Sequence, residues 1–326
     1  MAVRAITQDR YGWGAVQLAE VPDPVPGTGE VLIRVKAAAV NPYDWHYLEG
    51  TPGIARLGMV GNLRGPKPPV RGVDVSGVVE AVGPEATRFV PGDEVFGFAY
   101  AGSFADLTVA PEKHLAVKPP ALSHEEAGAL PMAGVTALNG LRDAAGLQAG
   151  QRIAITGAGG GIGHLAVQLA KWLGAHVTAV CSARSADLVR DLGADEVVDY
   201  ATTDFTSTDA RYDVVFSNGG QYSLRALARA VRPGGLVLLN DGSKTGFAGA
   251  LGDMVLGKIL GPRLAVRVAR FDGVANADDL ALLAGLVADG TVRVEVSRTY
   301  ALEEAVEAVR QVAGRGHARG KIVVVP

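Results

Sequence analysis

The stretch TGAGGGIGHLAVQLA, residues 156–170, holds five glycines within its first eight positions. It follows the apolar run RIAIT and leads into a segment whose apolar residues recur at helical spacing. A bare glycine turn between a buried strand and a helix lets the backbone approach a phosphate at the helix N-terminus. This stretch therefore predicts a dinucleotide-binding strand, turn and helix in the middle of the chain.

The turn fits the A/G-x-G-x-x-G fingerprint at Ala158, Gly160 and Gly163. These small residues permit the tight turn, the approach to a pyrophosphate and the packing of helix on strand. Gly161 and Ile162 lie in the same loop and are expected to bind the cofactor too. A glycine pattern alone is a weak signal in a chain with 43 glycines, but here strand, loop, helix and second strand occur in the required order.

The end of the second strand, HVTAVC, bears on which dinucleotide is bound. An acid there would bind the ribose 2′-hydroxyl of NAD, yet none occurs before Asp187. Ser182, Arg184 and Ser185 stand in its place, and two hydroxyls with a guanidinium suit a 2′-phosphate. We therefore expect NADPH rather than NADH. The alternative is that Arg184 is a solvated residue at a helix start.

The spacing of apolar residues changes along the chain. Up to about Pro120, short alternating runs broken by glycine and proline predict an all-β, barrel-like domain. From about Ser123, strands alternate with helices, which predicts a doubly wound parallel sheet of the α/β class. Periodicity leaves open whether the final helix, strand, helix and strand extend that sheet or return to the first domain.

Composition narrows the partners to small molecules. The net charge is −3 and no basic run occurs, which argues against a nucleic-acid partner. No apolar segment has the length of a signal peptide or membrane span, so we expect a cytoplasmic protein without a membrane partner. Cys181 is the single cysteine, which excludes an internal disulfide and a cysteine-based structural zinc site.

A series of motifs in fixed order resembles the medium-chain dehydrogenase/reductase superfamily, and most closely its zinc-free, zeta-crystallin-like quinone oxidoreductase branch. The motifs are AAAVNPYDWHYLEG, GVDVSGVVEAVG, RFVPGDEVFG, GSFADLTV, GALPMAGVTALNGL, TGAGGGIG, LGADEVVDY and GHARGKIVVV. The resemblance implies a GroES-like β-barrel catalytic domain at 1–122, a Rossmann NADP-binding domain at 123–270 and a C-terminal return to the catalytic domain at 271–326.

The resemblance also implies an enzyme without a metal. Zinc-dependent members place a cysteine in the first motif and a His-Glu pair in the second, where this chain has Asn41 and Val73-Asp74. A carboxamide and a valine do not replace thiolate and imidazole as zinc ligands. Without a Lewis acid, hydride transfer from NADPH to an activated acceptor is easier than alcohol oxidation. The expected acceptor is a quinone or an α,β-unsaturated carbonyl.

Candidate catalytic residues follow from the first motif. Asn41 and Asp44 match the family's N-P-x-D pattern, whose side chains border the nicotinamide in relatives. Asn41 is expected to donate to substrate or nicotinamide, and Asp44 to orient it rather than to transfer protons. His46 and Tyr47 are candidates for donating a proton or hydrogen bond to the developing oxyanion. The alternative for His46 is a surface or structural role.

Further cofactor contacts are implied by the resemblance and by strand ends. Thr136 resembles a threonine near the nicotinamide, and Tyr200 a tyrosine near the 2′-phosphate or adenine. Arg319 and Lys321 belong to a terminal motif that folds back over the cofactor. The carboxyl ends of the fourth and fifth parallel strands add Ser217, Asn218, Gly219, Asn240 and Gly242.

Two other functions stay open. One is an enoyl-thioester or other alkene reductase on the same scaffold. The other is a non-catalytic NADPH-binding sensor, favoured if His46 and Tyr47 point away from the nicotinamide. The run LAVRV, residues 264–268, is a candidate for the edge strand through which relatives dimerise, so we expect a homodimer.

Overall fold

The computed structural model describes residues 2–51, 65–218, 222–240, 266–271, 273, 276–314 and 319–326. The strands are β1 (Ala2–Gln8), β2 (Val16–Pro22), β3 (Glu30–Val40), β4 (Asp74–Val82), β5 (Glu94–Phe98), β6 (Leu107–Pro111), β7 (Leu115–Val117), β8 (Arg152–Thr156), β9 (His176–Cys181), β10 (Glu196–Asp199), β11 (Tyr212–Ser217), β12 (Val231–Leu239), β13 (Arg267–Arg270), β14 (Val296–Ala301) and β15 (Lys321–Val325). The helices are α1 (Pro42–Glu49), α2 (His124–Ala129), α3 (Pro131–Leu138), α4 (Gly163–Trp172), α5 (Ala186–Asp191), α6 (Leu224–Ala230), α7 (Ala277–Ala288) and α8 (Ala305–Ala313).

The chain divides into two compact units. The first comprises Met1–Val135, Ala275–Gly290 and Val294–Pro326, and the second comprises Thr136–Val274 and Thr291–Arg293. Among the described helices, none combines the length and the apolar character needed to cross a membrane.

The first unit is built on a mixed sheet with β3 at its centre. The strand order is β14-β15-β3-β4-β5-β7, and β6 pairs with β3 as well. Along β3, Val31, Ile33 and Val35 are buried while Arg34 and Lys36 are exposed, which is the alternation of a strand with one face on a core. The sequence prediction of a β-rich N-terminal half is confirmed by this sheet.

The last strand of the chain joins this same sheet. β15 runs antiparallel to β3, with Ile322 opposite Val40 and Val324 opposite Ala38. Ile322 and Val324 of β15 lie in one core cluster with valine and isoleucine side chains of β3 and β4. The pairing brings the start of β15 beside the end of β3, where α1 begins.

The second unit is the predicted doubly wound α/β fold. Its parallel strands follow the order β10-β9-β8-β11-β12-β13. Ile153, Ala154 and Ile155 of β8 are fully buried, as expected for a strand covered on both faces. The chain runs outward from β8 to β10 and then outward from β11 to β13, so the carboxyl ends of β8 and β11 form the switch point of the sheet.

The edge of this sheet bears on the dimer prediction. β13 pairs on one side with β12 and is the last described strand in the sheet. Leu264 and Ala265 of the predicted edge run lie outside the described residues, and Val266 directly precedes β13.

The glycine turn is as tight as its sequence predicts. Gly157 adopts φ +64°, a left-handed conformation that favours glycine. A Cβ on Gly163 would lie 2.1 Å from the Gly157 carbonyl oxygen and 2.6 Å from Ala158 Cα. α4 therefore packs on the turn at a distance that only glycine allows.

Replacing Gly163 by alanine should destabilise the second unit by about 1–3 kcal/mol, because the added methyl overlaps rigid backbone. Gly285 is the matched control, since it lies exposed in α7 with nothing within 4 Å of an added Cβ. Gly285→Ala should stabilise the protein by roughly 1 kcal/mol through helix propensity. Thermal unfolding followed by circular dichroism measures both, and equal midpoints for the two variants would contradict the packing described for Gly163.

Candidate active site

Helix α1 starts directly after β3, and its first turn fixes Asn41 and Asp44. Pro42 occupies the first helical position, where its lack of an N–H costs nothing. The Asn41 backbone N–H donates to Asp44 Oδ2 at 2.7 Å. The Asp44 carboxyl therefore holds the N-terminus of α1, while the Asn41 side chain is directed toward β4 and β15.

Asn41, Asp74 and Lys321 form a buried cluster, here called the Lys321 network. Asn41 Nδ2 donates to Asp74 Oδ2 at 2.9 Å, and Lys321 Nζ donates to Asn41 Oδ1 at 2.5 Å. Lys321 Nζ also donates to the Val40 carbonyl at 3.2 Å and lies 3.6 Å from Asp74 Oδ2. The Met132 N–H donates to the other Asp74 oxygen at 3.1 Å. The network thus ties together the end of β3 and the first residues of β4, β15 and α3.

The Lys321 network holds two opposite charges, those of Lys321 and Asp74, in a buried environment. Asp74 is fully buried, and Asn41 and Lys321 are each 3 % exposed. Burial raises the pKa of Asp74, while the charge of Lys321 and the hydrogen bond from Asn41 oppose the rise. Burial lowers the pKa of Lys321, which the charges of Asp74 and Asp44 oppose. The pair keeps its charges only because each group compensates the other.

Asp44 titrates close to neutrality. Burial raises its pKa to about 7, and the negative charge of Asp74 adds to the rise. The Asn41 N–H hydrogen bond and the charges of Lys321 and Arg71 oppose it. Near pH 7 the Asp44 carboxyl is therefore able to hold or release a proton.

A cavity of about 300 Å³ lies next to α1, and we call it the tyrosine cavity. Its lining includes Tyr43, Asp44, Tyr47, Lys67, Arg71 and Tyr100. The Tyr43 and Tyr47 rings are 5.2 Å apart at an angle of 42°, and the Arg71 guanidinium carbon lies 4.8 Å from the Tyr47 ring centre. The cavity is small, has aromatic walls and carries charged groups, so it suits a small planar ligand.

The predicted catalytic residues take different places around this cavity. Asp44 and Tyr47 line it, and the Tyr47 hydroxyl donates to the Lys67 carbonyl. His46 is not among the described lining residues; its ring stacks on Trp45 at 3.6 Å, and its Nδ1 lies 3.3 Å from Thr51 Oγ1. Burial lowers the pKa of His46. The catalytic roles of Asn41, Asp44, His46 and Tyr47 remain predictions.

Among the lining residues that the sequence did not predict are two tyrosines and a buried arginine. Tyr43 lies inside the N-P-x-D motif, Arg71 directly before GVDVSGVVEAVG, and Tyr100 shortly after RFVPGDEVFG. Each stands next to a motif that was recognised, which is the one signal that could have marked it. Their meeting in one cavity depends on contacts between distant strands, which sequence spacing does not reveal.

In the second unit, the candidate cofactor residues gather at the switch point of the sheet. The Asn218 N–H donates to Thr156 Oγ1 at 3.0 Å, and Asn240 Nδ2 donates to Asn218 Oδ1 at 2.8 Å. A Cβ on Gly159 would lie 2.4 Å from Ser185 Cβ. The glycine turn, the end of β9 and the ends of β11 and β12 are therefore neighbours, as the dinucleotide interpretation requires.

This region fits a nicotinamide dinucleotide on two observations. The buried Asn218 Nδ2 has no hydrogen-bond partner among the described residues, so a donor at these strand ends is left without a described acceptor. At Gly160 the nearest atom to an added Cβ is the Gly157 carbonyl oxygen, at 3.3 Å. Among the described residues beyond its chain neighbours, no other atom lies within 4 Å of that Cβ, so the turn leaves space beside Gly160 for a phosphate at the start of α4.

The other predicted cofactor residues are placed as follows. Ser182, Arg184 and Ser185 follow β9, with Ser185 buried and Arg184 exposed. Thr136 Oγ1 would lie 3.1 Å from a Cβ on Gly273. The remaining positions are the glycine-turn residues Ala158, Gly161, Ile162 and Gly163, Tyr200 after β10, and Ser217 at the end of β11.

The last four predicted cofactor residues are Gly219, Gly242, Arg319 and Lys321. Gly219 and Gly242 lie outside the described residues. Arg319 is exposed just before β15. Lys321 lies in the first unit with its ammonium bound within the Lys321 network. Cofactor contact by Arg319 and Lys321 remains a prediction.

Comparison with known proteins gives consistent matches along the chain. Residues 27–121 match the family "Alcohol dehydrogenase GroES-like domain", and residues 192–324 match "Zinc-binding dehydrogenase". A chloroplastic quinone-oxidoreductase QR1 of Triphysaria versicolor is 34% identical over 99% of this chain and 98% of its own length. A 2-methylene-furan-3-one reductase of Solanum lycopersicum is 32% identical over 91% of this chain and 72% of its own length. The solved structure of the quinone oxidoreductase from Coxiella burnetii superposes with a TM-score of 0.87 at 28% identity, covering 100% of both chains.

Lys321→Met should lower the free energy of unfolding by about 3–5 kcal/mol, because Asp74 then stays buried without its cation. Combining it with Asp74→Asn should cost less than the sum of the two single changes, since no unpaired charge remains. Urea unfolding curves measure the three variants.

The matched control for this cycle is Arg34→Met. Arg34 pairs with Glu80 on the same two strands, β3 and β4, but its side chain is 49% exposed. Its loss should cost less than about 1 kcal/mol. A Lys321→Met penalty no larger than that of Arg34→Met would contradict the description of the network.

Proposed function

The chain belongs to the medium-chain dehydrogenase/reductase superfamily, in its quinone oxidoreductase branch, and from that premise we propose an NADPH-dependent, zinc-independent oxidoreductase. Its proposed reaction is hydride transfer to a quinone or an α,β-unsaturated carbonyl. The observation that carries this proposal is the full-length similarity to a quinone oxidoreductase, at 34% identity over 99% of the chain. The similarity to a 2-methylene-furan-3-one reductase supports the enone as the second acceptor class.

Similarity to a mitochondrial NAD(P)H oxidoreductase of Mus musculus supports a nicotinamide cofactor, and NADPH is our proposal for this chain. Bound NADPH would supply the hydride, and a proton from solvent or a side chain would complete the reduced product. The preference for NADPH is supported by Ser182, Arg184 and Ser185, which follow β9 beside the glycine turn. A guanidinium and hydroxyls at that place suit a 2′-phosphate.

Independence from zinc is supported by the Lys321 network. Asn41 and Asp74 stand where the resemblance places zinc ligands in other members, and the Lys321 ammonium lies between them. A divalent cation there would be repelled by the ammonium. The carboxamide of Asn41 is also engaged on both sides, by Asp74 and by Lys321.

The residues of the tyrosine cavity can serve an acceptor that gains charge on oxygen. Burial raises the pKa values of Tyr43, Tyr47 and Tyr100, so their phenols stay neutral. Because the Tyr47 hydroxyl already donates to the Lys67 carbonyl, the donor role falls to Tyr43 and Tyr100. Asp44, with its pKa of about 7, can hold the proton that the reduced product needs. These groups orient the acceptor and stabilise its oxygen without a metal.

Two alternatives differ in their outcome with substrate. An enoyl-thioester or other alkene reductase would share the cofactor and the scaffold but would favour a thioester. A non-catalytic NADPH-binding sensor would bind the cofactor without turnover. His46 lies outside the described cavity lining, as that alternative expects, but Tyr47 lies within it. We further propose that the protein is a homodimer, supported by β13 at the edge of the described parallel sheet. A cytoplasmic location is a separate proposal that rests on the sequence.

Oxidation of NADPH and NADH should be measured with quinones, enones, an aldehyde and an enoyl thioester, with and without chelator. We expect chelator-insensitive turnover that favours NADPH with a quinone or an enone. Arg184→Ala should lower kcat/KM for NADPH by about tenfold or more, the value of a charge-assisted contact, and leave NADH unchanged.

Arg190→Ala is the matched control for the cofactor preference. Arg190 lies on α5 and pairs at the surface with Asp187 at 2.9 Å, so its loss should leave the NADPH preference intact. Tight NADPH binding without turnover of any acceptor would replace the reductase with the sensor. Loss of turnover on chelation would contradict the independence from zinc.

A further inference from the structure

Arg71 lies just before β4, in a stretch of backbone that is held by hydrogen bonds on both sides. Its N–H donates to the Ile6 carbonyl at 3.0 Å, and its own carbonyl accepts from the Phe104 N–H at 2.8 Å. Gly72 follows at φ +89°, and a Cβ there would lie 2.5 Å from Ser103 Oγ. The backbone from which the Arg71 side chain projects is therefore held by the fold.

The Arg71 guanidinium is buried without a carboxylate partner. The residue is 5% exposed and lines the tyrosine cavity. One terminal nitrogen donates to the Pro68 carbonyl, whereas the buried Nε has no hydrogen-bond partner. Within the described chain, no Asp or Glu oxygen lies within ion-pair distance of Arg71. A guanidinium keeps its charge even when buried, so the cavity holds a positive charge that its own residues leave without a salt bridge.

The groups around Arg71 leave room for an anion. Tyr43, Tyr47 and Tyr100 are neutral phenols, because burial raises their pKa values. Asp44 is the acid of the described cavity lining, and its charge interacts with that of Arg71. Even when ionised, this one carboxylate balances only one of the two positive groups in the lining, Arg71 and Lys67. The exposed Lys67 adds a second positive group at the lining. The electrostatic balance of the cavity is therefore positive.

We propose that the tyrosine cavity binds acceptors that carry a carboxylate beside a planar unsaturated system, and that Arg71 selects the carboxylate. The N–H groups of a guanidinium match the two oxygens of a carboxylate, and the aromatic rings of Tyr43, Tyr47 and Tyr100 offer faces and edges to a planar group. Aryl or alkenyl keto acids are the corresponding substrate class. Turnover of such an acid rests on the proposed function, whereas its binding does not.

Binding is tested with 3-benzoylpropionate and its methyl ester, which differ in one negative charge and are not reducible as enones. Calorimetric titration of the wild-type protein at fixed ionic strength should show the acid binding about 10- to 100-fold more tightly than the ester. Arg71→Met should remove that preference, and Arg71→Lys should retain part of it, since a lysine keeps the charge without the planar fork. Arg225→Met, which removes an exposed arginine of α6, should leave the preference unchanged.

Turnover is then tested with 3-benzoylacrylate, whose alkene would take a hydride from NADPH and a proton from solvent to give 3-benzoylpropionate and NADP⁺. Equal binding of acid and ester by wild-type protein, or a preference that survives in Arg71→Met, overturns the inference. The comparison of acid with ester on wild-type protein needs no variant to fold. Selective binding of the acid without turnover of any enone or quinone would support the anion site and contradict the proposed function; turnover of neutral acceptors without acid selectivity would do the reverse.

Discussion

The first unit depends on one buried charge pair at the place where β3, β4 and β15 lie side by side. Lys321 begins the last strand, and its ammonium reaches Asn41 at the end of β3 and Asp74 at the start of β4. Burying either charge alone would cost several kcal/mol, so neither is tolerated without the other. Lys321 is 280 positions from Asn41 in the sequence and 247 positions (321 minus 74) from Asp74. Its contacts therefore join distant parts of the chain within one unit. The same contacts hold Asn41, the residue directly before α1.

The same pair supports the chemistry that we propose for the site. Its ammonium places a positive charge beside Asn41 and Asp74, and it engages both oxygen-bearing side chains. Asp74 acts in turn on Asp44, whose pKa is raised to about 7 by burial and by that neighbouring charge. A carboxyl that titrates near neutrality therefore faces a cavity with aromatic walls. The proton chemistry of the proposed reaction follows from burial and charge pairing rather than from a Lewis acid.

Much of the fold was predictable because it depends on local patterns. The glycine turn, the apolar run of β8 and the alternation of strands with helices are each visible within about thirty residues, and the doubly wound fold follows from them. The pairing of β15 with β3 was not predictable from periodicity, because a short apolar strand fits either sheet. Family motifs, rather than spacing, implied the return to the first domain.

The site was predictable only where a motif marked it. Asn41 and Asp44 were found through N-P-x-D, yet the bond from Asn41 to Lys321 depends on the folded sheet. Arg71, Tyr43 and Tyr100 come from three separate segments, and their proximity is a property of strand pairing that no local pattern reports.

The protonation state of Lys321 is the most direct measure of this account. Nuclear magnetic resonance of protein with ¹³C- and ¹⁵N-labelled lysine, assigned with Lys321→Arg, reports whether its Nζ carries three protons and exchanges slowly with water. A charged ammonium whose proton exchange is far slower than that of the exposed Lys67 is predicted, because Asn41, Asp74 and the Val40 carbonyl surround it. A neutral amine, or exchange as fast as that of Lys67, would contradict the charge pair on which the description of the first unit depends.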